Sequence, residues 1–179
     1  MNKQRALILI KDALDINEWN YSVRTLSEEQ TKYELSFTYD EYGCRLDTEI
    51  LYIQGDTCEI NMTVPVTCPS ERNIIVSRYL MNRNLTRRYT SMQLWKDGKI
   101  ICHYAFTMYN GTNPSKILSI YNMVKKAAME DYLKIVHLCN GELESQEKAE
   151  ILDEIERLKI ALYSDSSSEE VFDELKIKL

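Results

Sequence analysis

The residues in this chain that could do chemistry are two histidines, five cysteines and a short run of arginines. Cys102 and His103 are adjacent, and His137 and Cys139 lie two apart. Thiolate and imidazole are the ligands zinc prefers, and the same two groups make a nucleophile and its base. Cys102 and His103 fall in an alternating segment, however, where neighbouring side chains point to opposite faces. The pair cannot hold one ion without distortion, and Cys58 and Cys102 both occupy core positions of their segments. No strained elbow motif carries a nucleophile, and with 5 Gly in the whole chain no glycine-rich loop opens a helix to cradle phosphate. The carboxylate pairs Glu28-Glu29 and Glu169-Glu170 read as solvated surface. A small enzyme or metal protein using Cys102, His103 or His137 is thus the alternative reading; no catalytic residue, metal ligand or cofactor is assigned.

The arginines are more informative. Arg72, Arg78, Arg83, Arg87 and Arg88 fall within seventeen residues and form the one basic concentration in the sequence. They could accept an acidic peptide, a nucleic-acid backbone or the chain's own acidic tail, or simply solvate a helix face. RNA recognition normally places aromatic rings beside the basic groups, a requirement that Tyr79 and Tyr89 meet weakly, so nucleic acid is a minor alternative. Near the other end, Ile151, Ile155, Leu158 and Leu162 recur at offsets of four, three and four. That stripe is shorter than a coiled coil needs, and it would be covered by the chain's own domain or by a partner subunit.

Charge divides the sequence in the same place. The net charge is -6, yet residues 139–179 hold 12 acidic and 5 basic residues, net -7, which leaves the rest at +1. A general polyanion-binding surface is therefore not expected. The first apolar run, residues 6–10, is too short for a signal-peptide core, and no window approaches a membrane span. An odd number of cysteines without C-x-x-C spacing points to reduced thiols, and a cytoplasmic location is expected.

The elements that must position these residues are set by periodicity. Residues 2–16 predict a helix through Ala6, Leu7, Ile10, Ala13 and Leu14, and residues 17–31 an edge segment or lead-in loop. Alternation at residues 33–39, 46–54 and 58–64 predicts three strands, with Gly55-Asp56 turning the second into the third. Pro65 and Pro69 are expected to stop the sheet. A helix then starts with Pro69 in its first position and runs to about residue 84, Ile75, Val76, Tyr79 and Leu80 inward, Arg72, Arg78 and Arg83 outward. Residues 89–95 and 100–108 predict a hairpin at Asp97-Gly98, both residues tolerating positive φ. Asn113-Pro114 opens a long helix that ends at Asn140-Gly141, with Ile117, Leu118, Tyr121, Val124, Ala128, Leu133 and Val136 facing the sheet.

This order, α-β-β-β-α-β-β-α, resembles the YbjN-type domain of bacterial sensory-transduction regulators, whose fold is similar to that of type III secretion chaperones. The local likeness is strongest at Leu80-Met81-Asn82-Arg83-Asn84-Leu85 leading into Leu94-Trp95-Lys96-Asp97-Gly98-Lys99-Ile100. The resemblance implies a non-enzymatic adaptor or chaperone-like role and no catalytic residue. The expectation is an α+β fold: an antiparallel five-stranded sheet with helices mainly on one face over residues 1–140, then an acidic helical extension at 141–179. The expected function is protein binding, with a homodimer as one form, no membrane and no cofactor, and with Arg72, Arg78, Arg83, Arg87, Arg88, Ile151, Ile155, Leu158 and Leu162 as partner-binding candidates.

Overall fold

A computed structural model describes residues 2–39 and 42–142. The chain divides after Cys139, and the described elements belong to the first unit, the last helix ending one residue beyond it. The side chain of Asn2 accepts a hydrogen bond from the Arg5 N–H at 2.8 Å and so caps α1 (Lys3–Ile16), whose Ala6, Ile10, Ala13 and Leu14 are buried. Four strands come next: β1 (Tyr21–Thr25), β2 (Gln30–Tyr39), β3 (Cys44–Ile53) and β4 (Thr57–Thr67). A 3-10 turn at Ser70–Arg72 leads into α2 (Asn73–Thr86), and then come β5 (Ser91–Leu94), β6 (Lys99–Thr107), α3 (Pro114–Glu130) and α4 (Tyr132–Asn140). The expected α+β class and antiparallel sheet are present.

Among the described residues the sheet has six strands, in the order β1-β2-β3-β4-β6-β5, one more than expected. The extra one is β1, which pairs with β2 along Tyr21↔Leu35 to Thr25↔Thr31. Four of its five residues are exposed, so no apolar alternation marks it in the sequence. Helices cover the opposite side of the sheet from its polar residues. Leu46, Ile50 and Tyr52 of β3 and Cys58, Ile60, Met62 and Val64 of β4 are buried, beneath α3, which packs on β4 and β6 and against α1. Tyr121 of α3 is 1% exposed, its ring centroid 4.5 Å from that of Trp19.

Proline placement differs from expectation in two ways. β4 continues past Pro65 to Thr67, because the register against β6 slips between Val64 and Thr67. A bulge lets the strand absorb a residue that has no N–H to offer the ladder. Pro69 precedes the 3-10 turn in an extended conformation instead of occupying the first position of α2.

The two turns also exchange conformations. At Gly55-Asp56 both residues have positive φ, 88° and 63°, as tight hairpins require. At the β5–β6 turn only Gly98 does, at 80°. Asp97 acts there through its carboxylate, which accepts from the Lys99 N–H at 3.2 Å. Gly98 is also pressed against the end of β4: its carbonyl accepts from the Cys68 N–H at 2.8 Å, and a Cβ on Gly98 would lie 2.5 Å from the Cys68 carbonyl oxygen. Gly98→Ala should therefore destabilise the domain by about 2 kcal/mol or more, through strained φ and that clash together. Urea unfolding with an unchanged m-value checks this.

Candidate protein-interaction surface

The end of α2 is where the arginines do most of their work, and two of them face inward. Asp131 Oδ2 accepts a hydrogen bond from Arg83 Nε at 2.7 Å and another from Arg87 Nη2 at 2.9 Å. Arg87 Nη2 also donates to the Ala127 carbonyl at 2.9 Å, and Nη1 to the Thr90 hydroxyl at 3.3 Å. The side chains of Arg87 and Asp131 are 6% and 11% exposed. Arg83, expected outward, thus points toward the α3–α4 junction, and Glu130 lies farther off, 3.8 Å from Arg83 and 3.7 Å from Arg87.

This clamp accounts for a break in the expected long helix. Asp131 terminates α3 with φ -107° and ψ 11°, and its carbonyl accepts from the Ile135 N–H at 2.9 Å as α4 begins. The break shifts the helical phase beyond it: Ile135, Leu138 and Cys139 are buried, whereas Leu133, expected to face the sheet, is 52% exposed. Burial alone would raise the Asp131 carboxyl, but the hydrogen bonds and charges of Arg83 and Arg87 outweigh it and hold the group below its ordinary range. Burial, with the Asp131 charge, pushes the neighbouring Tyr79 hydroxyl up to about 12.

The opposite side of α2 is apolar and uncovered. Ile74, Met81 and Leu85 are 76%, 68% and 86% exposed. With Arg78 they take offsets of four, three and four, so at about 100° per residue they share one line along the helix. Val76 and Leu80 fill the inner side. The outer line was legible in the spacing, but α2 is apolar on both sides, and periodicity by itself does not say which side the sheet takes. Past the helix end, Tyr89 is 58% exposed and the Arg88 guanidinium sits 5.5 Å from its ring centroid. Arg72 and Arg78 are half-buried. The five arginines therefore do not form one face. Ile151, Ile155, Leu158 and Leu162 lie outside the described residues.

Two concavities accompany these surfaces. One, of about 380 Å³, opens between the end of α2 and α3 and is lined by Arg83, Arg87, Arg88, Tyr89, Met123 and Glu130 among others. The other, of about 710 Å³, is a trough on the polar side of the sheet. Its charged groups are largely paired: Glu34 and Glu49 with Lys32 at 2.7 and 3.0 Å, Arg45 with Asp47 at 3.1 Å.

The Cys and His candidates separate as alternation requires. Cys102 is fully buried opposite Met62, and burial pushes its thiol up to about 11. His103 lies on the other face, Nε2 3.8 Å from Glu59. Cys58 is four residue pairs away from Cys102 in the β4–β6 register. Cys68 and Cys139, which nothing in their spacing relates, are both buried, and burial, with Cys139 nearby, pushes the Cys68 thiol up to about 12. Such thiols are poorly ionised and poor nucleophiles at neutral pH. Among the described residues no group of three or more His, Cys, Asp or Glu could hold a metal, and no helix is long and apolar enough to cross a membrane.

No protein-family model matches the chain, and no curated protein does. Solved structures do. YbjN from E. coli, a proposed transcription regulator, superposes with a TM-score of 0.50 at 11% identity, over 73% of this chain and 92% of its own. A protein from Methanothermobacter thermautotrophicus, described as uncharacterized, superposes with a TM-score of 0.50 at 13% identity, over 78% of this chain and 99% of its own. These likenesses establish the fold: the chain has a YbjN-like architecture.

Asp131→Asn should leave two arginine side chains beside a neutral amide and destabilise the domain by about 3 kcal/mol, the lower end of the range for breaking a buried ion pair. Because the folded-state pKa of Asp131 is depressed, its contribution is complete above the ordinary carboxyl value of about 3.9 and is lost as pH falls toward the depressed value. Thermal melts between neutral pH and pH ~3 should show the variant losing less stability on acidification than the parent does.

Proposed function

We propose that this chain is a non-enzymatic protein-binding module, adaptor or chaperone-like in action, and that the outer side of α2 is the surface it presents. The observation that carries this reading is the line of Ile74, Met81 and Leu85, each more than two-thirds exposed. A side chain of this kind gains about 1.5–3 kcal/mol on full burial, so three in line make a surface that favours being covered. Met, Arg and Tyr are residue types enriched at interfaces, and Met81, Arg78, Arg88 and Tyr89 are all here.

Other features support the same reading. The arrangement is YbjN-like, and YbjN is described as a proposed transcription regulator. The candidate chemistry is weak, since Cys102 and His103 point apart and the buried thiols are poorly ionised. Five free cysteines suit a reducing compartment, and we take the cytoplasm as the protein's location in this reading. Residues 1–140 form the binding domain in this reading and 141–179 an acidic extension, whose Ile151, Ile155, Leu158 and Leu162 are a second candidate stripe. A homodimer is one form the assembly takes.

Replacing Leu85 with a photo-crosslinking residue in the full chain, in its native cells, should give discrete protein adducts. The same residue at Arg24, exposed on β1, should give few. Equal or absent adducts at position 85 would remove α2 as the presenting surface. Light scattering showing a strict monomer at high concentration would remove the homodimer.

A further inference from the structure

We infer that the cleft at the end of α2 is a carboxylate pocket, and that the partner lying along α2 is an acidic amphipathic helix. This rests on α2 being the presenting surface and specifies what it recognises. Leu85 closes the exposed line, and Arg88 and Tyr89, three and four residues on, form one wall of the 380 Å³ cleft. The cleft has room for an acidic side chain reaching in from a partner.

The electrostatics of the cleft favour an anion. Arg83 and Arg87 share Asp131, and Glu130, 54% exposed, stands farther away. Three guanidiniums thus meet two carboxylates. Among the described residues Arg88 makes no ion pair, and its guanidinium lies against the face of Tyr89. Arg87, whose Nε is buried without a hydrogen-bond acceptor, adds its charge to the same end of the cleft. A carboxylate seated on Arg88 would meet a guanidinium already oriented by an aromatic ring, beside wall residues Met123 and Ala127 that lower the local polarity.

The composition of α2 selects among the partners that could bring such a carboxylate. The helix has the sequence NIIVSRYLMNRNLT and holds no acidic residue, so a second copy offering the same helix would bring arginine and no carboxylate. A nucleic-acid backbone would supply charge but nothing to cover three exposed aliphatic side chains. A helix with apolar residues at offsets of four, three and four, flanked by Asp or Glu, satisfies both the line and the cleft.

The test uses the full chain and two labelled synthetic peptides of about 18 residues. Both carry leucines at those offsets; one has Glu on the flanks and its twin has Gln. Fluorescence anisotropy at low salt should show the Glu peptide binding about fivefold or more tightly than the Gln peptide, with the preference shrinking as salt is added. Arg88→Glu should abolish the preference and leave Gln-peptide binding in place, and Leu85→Ser should weaken both peptides. Both positions are exposed, and circular dichroism confirms that the variants stay folded. Equal binding of the two peptides, each weakened by Leu85→Ser, would overturn the carboxylate pocket and keep α2 as a binding surface. If neither peptide binds, the inference fails, and crosslinking at position 85 judges the broader reading separately. Displacement of the Glu peptide by mixed-sequence single-stranded DNA, with the same Arg88 dependence, would overturn it in favour of nucleic acid.

Discussion

Asp131 receives Arg83 from α2 and Arg87 from just beyond it, while standing at the junction of α3 and α4. One carboxylate oxygen at 2.7 and 2.9 Å from two guanidiniums joins the end of one helix to the end of a second and the start of a third. Burying such groups is unfavourable until they are paired, and once paired they tolerate little displacement. The placement of α2 therefore depends on this contact as well as on the apolar contacts of Val76 and Leu80.

A second polar device fixes α2 to the sheet. The Asn84 side chain donates to the Met92 carbonyl at 2.8 Å and accepts from the Met92 N–H at 2.8 Å. The amide thereby imitates a neighbouring strand on the outer edge of β5. An unpaired edge invites pairing with other chains, and here a helix side chain occupies part of it. β5 itself is only Ser91–Leu94, shorter than its alternating sequence, and the Asn84 contact falls within it at Met92.

Together these contacts hold the inner side of α2 firmly and leave Ile74, Met81 and Leu85 exposed on the outer side. A surface held in place before binding loses less freedom on association, which supports the proposed docking line over any loop. The polar trough across the sheet differs in kind. Its carboxylates and Arg45 are already paired within and across strands, so a ligand there would have to displace their partners.

Much of the fold was legible because it depends on local periodicity. Alternation at Cys58, Ile60, Met62 and Val64, the Asn113-Pro114 cap and the divergence of Cys102 from His103 are properties of short segments, and a strand or helix imposes them wherever it lies. The arginine concentration was legible as composition too. What the tertiary structure alone decided was direction and partnership. Arg83 and Arg87 turn inward because Asp131, more than forty residues away, comes to rest beside them; β1 becomes a strand because β2 supplies an edge; α2 exposes its second apolar line because the sheet covers the first. Each outcome rests on contacts distant along the chain, which residue spacing cannot encode, whereas the periods of helix and strand are set within a few residues by the backbone itself.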